Sequence, residues 1–401
     1  MITLSEINLT DIKRSQKKKG IILSFLFFIH GMAYASIVPW FPEIKSDFEL
    51  SNYRVGIMVS AIPAGSITFG LLSKRFIDFI GLYWATNITF LLLITCISIV
   101  PFSSSWHGIT LALFLFGIFD SWGDTCINVQ AIRVQNSCGR SLINRFHGIG
   151  SIGTIFGGGI AVFAISIGLS IKQFSLTVFC GNLFLLMLFI VIFRDKNRQR
   201  KIFTCEKNKP SQHYSENQLY LIALILLTFT CGIEETASIW GAIYMTDYYD
   251  VSPVLSGLPY LSCQIFMVVG RIFGDHFTNN FGRITTLRCG AITAAMGVFV
   301  IMSINSPILT VLGFALIGLG ISVVFPLTIS FIGQLPNINA TNGITFATWT
   351  SRVGLLLTPP LLGMLADMTS LRIAFITIFI GCLFILLLIN ILSKKLIQLE
   401  R

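Results

Sequence analysis

The chain has 401 residues, 54% of them hydrophobic and only 11% charged, with a formal net charge of +10. Soluble proteins carry about 25% charged residues. A chain this apolar has too little polar surface to be one, and its apolar runs recur from Gly20 to Leu392.

In chain order, helices are predicted over 20–41, 54–76, 80–101, 108–133, 143–168, 173–194, 218–245, 253–276, 283–304, 307–333, 342–366 and 371–393. Each is near the ~20 residues that a helix needs to cross a bilayer. The expected fold is an all-α polytopic membrane protein of twelve transmembrane helices. The first run, ILSFLFFIHGMAYASIVPWF, follows a basic segment. It is too long for a secretory h-region and has no clear small-residue cleavage site, so it reads as a retained helix.

With a cytoplasmic N-terminus, all but five of the 28 Lys and Arg fall on or near the cytoplasmic side; the five are Lys45, Arg54, Lys172, Arg352 and Arg372. That asymmetry follows the positive-inside rule and places both termini in the cytoplasm. It assigns the basicity to anionic lipid headgroups and not to nucleic acid. A polar segment at 194–217 divides the chain into six-helix bundles, 1–193 and 218–401. The halves echo one another at an offset of 201: Gly31 meets Gly232, Gly81 meets Gly282, Gly117 meets Gly318 and Gly153 meets Gly354. Such repeats build secondary transporters.

Ionisable groups inside the bilayer are costly and mark pathways or relays. In GIFDSWGDTCINVQ, Asp120, Asp124 and Asn128 stand four residues apart, on one helix face. Two carboxyls about 6 Å apart in a low dielectric do not both keep their charge easily, which suits one of them to carry a proton. The competing reading is a fixed network with Arg133 or Arg145. Glu234 and Glu235 are adjacent and point about 100° apart, so only one faces a given cavity squarely; Glu235 is slightly preferred. His30 is a candidate proton acceptor or substrate donor, or a structural histidine bonded to a neighbouring helix. Tyr34, Trp349 and Arg352 are further substrate-binding candidates. Trp349 and Arg352 share a face, where Arg352 suits an anionic substrate or neutralises a carboxylate. Trp40, Trp240 and Tyr244, near helix ends, are expected in an interfacial belt.

The two halves, the basic central loop and the loop signatures resemble the major facilitator superfamily. The first loop copy, GLLSKRFIDFIG, keeps Gly70 and Arg75 but has Lys74 where the family has Asp; the second, GRIFGDHFTNNFGR, keeps Gly274, Asp275, Gly282 and Arg283, with His276 for the usual Arg. A third trace is GMLAD, Gly363 to Asp367. The resemblance implies that Arg75, Arg271, Asp275 and Arg283 gate conformational change by ion pairing and helix capping. Arg271 and Asp275 are spaced to pair. It also implies that the first and seventh helices line a central cavity. Asp124 with Asn128, and the run RFHGIGSIGTIFGG, are similar to the fucose-permease branch and its YbjJ-like bacterial relatives, although Val129 replaces the proline expected after Asn128.

The expected function is proton-coupled symport of a small polar solute, a sugar or related metabolite, by alternating access. The expected protein is a monomer in a bacterial cytoplasmic (inner) membrane. Asp124 carries the proton, Asp120 sets its affinity and Asn128 positions substrate or carboxylate. Protons are preferred over sodium, which needs more oxygens than this stretch offers. Two rivals are a proton-driven exporter of amphiphilic compounds and a non-transporting receptor or sensor. No enzyme, cofactor, nucleic-acid partner or metal site is expected: nine scattered cysteines lack metal-type spacing, and no nucleophile triad or phosphate-binding glycine loop stands out.

Overall fold

The computed structural model describes residues 4–138, 143–192, 218–335 and 340–399, and among them holds helices and short 3-10 turns but no strand. The linker expected at 194–217 lies outside the described residues. The first expected helix divides. α1 spans Leu4–Ala35, a 3-10 turn covers Val38–Trp40, and α2 spans Phe41–Asp47. Pro39 has no N–H to return to the carbonyl of Ala35, so the helix ends there. Pro42 then occupies the first turn of α2, where no N–H is missed.

α3 (Asn52–Phe69) passes through a 3-10 turn at Gly70–Leu72 into α4 (Ser73–Ile80). α5 (Leu82–Ile99), α6 (Trp106–Cys138), α7 (Ile143–Ser166) and α8 (Ile171–Ile192) follow. Beyond the linker come α9 (Gln218–Tyr249), α10 (Pro253–Ser256), α11 (Leu258–Phe281) and α12 (Arg283–Ser303). The element expected over 307–333 is two helices, α13 (Pro307–Ile321) and α14 (Val324–Ile332). Pro326 cannot donate to the carbonyl of Ser322, which lies in the break. α15 (Ala340–Met368) contains Pro359 and Pro360 and remains one helix; α16 (Leu371–Ala374) and α17 (Ile376–Leu399) close the chain.

Among the described residues, eleven helical segments are long and apolar enough to cross a membrane. α15, whose first half reads ATNGITFATWTSR, is not one of the eleven.

The chain forms two compact units. One is Met1–Ile37 with Ala64–Thr204; the other is Val38–Pro63 with Cys205–Arg401. The second unit thus takes in α2 and the start of α3. The carboxylate of Asp367, at the end of α15, accepts the backbone N–H groups of Asn52 (2.8 Å) and Tyr53 (2.9 Å). These are orphan donors at the start of α3, and an anion there is favoured by the helix dipole. The side chains of Lys45 on α2 and Asp247 on α9 pair in the same unit. The GMLAD trace therefore has a structural use: Asp367 caps a helix, and Gly363 lets its backbone come against the carbonyl of Asn52.

The offset of 201 recurs in packing and backbone. In the first unit α1 packs on α7; in the second α9 packs on α15. A Cβ on Gly153 would run into the carbonyl of Phe28, and one on Gly354 into the carbonyl of Thr228. Small residues at such crossings let helix backbones approach. Gly81 and Gly282 each join two helices with φ of 85° and 80°, the left-handed region that glycine tolerates without a Cβ penalty.

Candidate functional site

The ladder of the fourth expected helix lies on α6. Ser105 starts that helix, its hydroxyl accepting the N–H of Gly108 at 3.2 Å. The i, i+4 spacing then sets Asp120, Asp124 and Asn128 in one stripe. The Asn128 amide donates to Asp124 Oδ1 at 2.8 Å and to the Asp124 carbonyl at 2.9 Å. Across from the stripe, α1 supplies His30. Its Nε2 lies 3.0 Å from Asp120 Oδ1 and 3.3 Å from the Asp120 carbonyl oxygen. A carbonyl only accepts, so Nε2 carries the hydrogen and donates to this residue. Gly123 leaves the room: a Cβ there would press on the Phe90 ring and approach His30. The two side chains are 20% and 27% exposed, so the pair is neither sealed nor freely solvated.

His30 is thus bonded to a neighbouring helix, and its partner is Asp120. Trp122 is off the stripe; its indole donates to the carbonyl of Phe69 (2.9 Å), and its ring lies 4.7 Å from Phe76. Arg133 and Arg145, the cations considered as partners for the ladder, are exposed. Tyr34 is half-buried, 6.3 Å from the Phe116 ring. A contact that sequence reading missed is Gln130 Nε2 to Thr86 Oγ1, 2.6 Å, joining α6 to α5. An amide two residues past Asn128 in an apolar span was the available signal.

The second unit has its own polar contact. Glu234 Oε1 on α9 lies 3.7 Å from Arg271 Nη2 on α11, with both side chains about a third exposed. At that distance this is an ion pair without a hydrogen bond. Arg271 thus faces a glutamate on another helix; the side chain of its expected partner, Asp275, lies outside the described residues. Gln264 of α11 donates to the Ser238 hydroxyl of α9 at 3.2 Å, and that hydroxyl donates to the Glu234 carbonyl at 2.9 Å. Glu235 is half-buried. Trp349 stacks on Phe346 at 6.0 Å, and Arg352 is half-buried further along α15. Arg283 donates to Gln334 Oε1 at 2.9 Å and sits over the Phe331 ring; Arg75 is exposed on α4.

The interfacial-belt expectation needs correction. Trp40, Trp240 and Tyr244 are at most 1% exposed. Tyr244 packs against Tyr248, Tyr249 and Phe375. Position near a helix end sets depth, but not which way a ring points. Among the described residues, no group of three or more His, Cys, Asp or Glu could hold a metal ion.

The chain matches the sequence profile described as Major Facilitator Superfamily over residues 23–351 and 224–395. It is 26% identical over 373 residues to an uncharacterised MFS-type transporter of Yersinia pestis, covering 90% of this chain and 91% of that protein. It is 22% identical over 349 residues to the membrane protein MosC of Rhizobium meliloti, covering 87% and 84%. Among solved structures, a mutant of the nucleoside transporter NupG superposes with a TM-score of 0.74 at 12% identity, covering 93% of this chain and 99% of that one. An inward-facing bacterial homologue of the human lysosomal transporter Spinster gives 0.73 at 11% identity, covering 96% and 98%. These two likenesses are of fold.

Proposed function

The chain belongs to the Major Facilitator Superfamily, a family of secondary transporters and not of enzymes, and from that premise we propose that it takes up a small polar solute by proton symport. In this reading the fold has twelve spans in two six-helix halves, 1–193 and 218–401. The protein works as a monomer in a bacterial inner membrane with both termini cytoplasmic. Asp124 with Asn128, and the run RFHGIGSIGTIFGG, favour the fucose-permease branch within the family.

The observation that carries the proposal is the contact of His30 with Asp120 beside the Asp124–Asn128 pair. Four polar groups gathered in apolar helices need a use. The imidazole holds Asp120, leaving Asp124 as the carboxyl that takes and releases the proton. Its amide partner donates equally well to a carboxylate or to the carbonyl oxygen of a carboxylic acid, so Asn128 keeps the side chain placed through both states. Asp120 and His30 set the local charge against which Asp124 loads. Glu234 and Glu235 are secondary candidates, as Arg271 already faces Glu234. Arg75, Asp275 and Arg283 are proposed as gating residues.

The test is uptake into proteoliposomes with an imposed pH gradient, screened over sugars, nucleosides, carboxylates and dyes. Solute uptake driven by the proton gradient is expected. Asp124→Asn should lose the driven uptake while solute counterflow, which needs no net proton movement, survives. Driven uptake unchanged in that variant, or proton flux indifferent to every solute, overturns the assignment. Dye movement only in the export direction would instead establish proton-driven export of amphiphiles.

A further inference from the structure

Among the described residues, Arg352 makes neither a hydrogen bond nor an ion pair. Its depth follows from helix packing. Thr228 Oγ1 lies 3.5 Å from the Thr350 carbonyl, and Gly354 packs on the Thr228 carbonyl, so Arg352 is level with Thr228. Thr228 is ten residues into α9, a 32-residue helix. At 1.5 Å per residue that is about 15 Å from the helix end, half of a ~30 Å hydrocarbon core.

Among the described residues, no acid of the second unit pairs with it. Glu234 faces Arg271, Asp247 holds Lys45, and Asp367 caps α3. Glu235 has contacts of its own. A guanidinium at this depth without a counterion is expensive and marks a pathway or a ligand. One turn earlier on the same face, the Trp349 ring stacks on the exposed Phe346, and its indole N–H is buried without an acceptor. A forked cation one helical turn from two stacked rings suits an anionic group carried on a compact organic body.

We propose that Arg352 is the docking cation for an anionic group of the transported solute, a carboxylate or a phosphate ester, so that the solute brings its counterion. The proposal rests on the transporter reading above and narrows its substrate class from polar to anionic. A proton loaded on Asp124 and a monoanion bound at Arg352 would cross together without net charge. Uptake would then follow the pH gradient and ignore the membrane potential.

The test measures the thermal midpoint of the full chain in detergent with matched probes: glucose against gluconate, and uridine against uridine 5′-monophosphate. At least one anion should raise the midpoint while its neutral counterpart does not. Arg352→Gln should weaken the anion by about 10–100-fold, and Arg352→Lys, which keeps the charge but loses the fork, should lie between. Both variants are first checked for a monodisperse elution profile; if the glutamine variant fails it, the lysine variant decides. Anion binding unchanged in the deciding variant, equal shifts from neutral probes, or no shift from either anion overturns the proposal. Phosphatidylglycerol added alone is a further arm: a shift from it that vanishes in Arg352→Gln assigns the site to a lipid headgroup and overturns the solute assignment. If an anion binds through Arg352 but no probe enters proteoliposomes, the transporter reading fails and the anion site stands.

Discussion

α6 of the first unit and the α13–α14 pair of the second occupy matching places at the offset of 201, yet they differ in almost every physical respect. α6 runs unbroken through 33 residues and carries Asp120, Asp124 and Asn128. Its counterpart places Ile321, Phe325 and Ile329 at those positions and breaks at Ser322 and Val323, Ser322 being four residues before Pro326. Gly318, the match of Gly117, brings α13 against the Cys263 carbonyl, while the Gly117 carbonyl accepts the Ser66 hydroxyl at 2.8 Å. The scaffold is repeated where helices touch. The ionisable chemistry is not repeated. His30 likewise has Cys231 at its matching position, and Arg271 has Gly70.

The largest expected effect tests that one-sidedness. On the proposed role of Asp124, Asp124→Asn should reduce gradient-driven uptake at least about 100-fold, the scale of losing a positioned proton-transfer group. Placing an acid on the other side, as Phe325→Asp, should not restore it, because Ile329 stands where Asn128 holds Asp124 and no acid–histidine pair stands beside it at positions 321 and 231. Restoration in that double variant, read as uptake against an imposed pH gradient, would break the comparison.

A smaller effect tests the repeated part. Gly153→Ala and Gly354→Ala each drive a methyl into a facing carbonyl, which forces helices apart at a cost of about 1–3 kcal/mol. Thermal midpoints in detergent should fall by similar amounts for the two. A large fall in one and none in the other would show that the offset is a sequence coincidence without equal packing weight. Asp367→Asn comes next. It keeps one acceptor at the start of α3, replaces the other with an amide NH2 that cannot accept from a backbone N–H, and removes the charge that complements the helix dipole, a loss of about 1–2 kcal/mol, measurable as a fall in midpoint whose charge part high salt hides.

How much of this was legible in the sequence follows from the range of each interaction. The helices were legible, because span length and apolar composition are local. The glycine contacts were legible because a constant offset turns one match into a prediction about another. His30 meeting Asp120 was not: the two are 90 residues apart, and no periodicity links α1 to α6. The break at Ser322 had a local cause, Pro326, but an apolar run with one proline also fits a bent continuous helix, as α15 shows with two. The belt assignment of Trp40, Trp240 and Tyr244 failed because hydropathy reports depth along a helix and is silent about the face. Asp247 as the partner of Lys45 was hidden for the same reason as His30, a separation of 202 residues.

The smallest expected effect concerns the second unit's own ion pair, and it separates stability from function. Glu234 and Arg271 stand 3.7 Å apart without a hydrogen bond and are 30% and 38% exposed. Solvent screens such a pair, so a double-mutant cycle with Glu234→Gln and Arg271→Gln should give a coupling below about 1 kcal/mol in thermal stability. The same cycle read in uptake distinguishes two uses. If the pair is only a loose tie between α9 and α11, both single variants and the double should transport alike. If Arg271 orients Glu234 for transport, the Arg271→Gln variant alone should lower uptake, and adding Glu234→Gln should lower it no further. A coupling well above 1 kcal/mol in stability would place real structural weight on this contact and give the second unit a polar centre of its own.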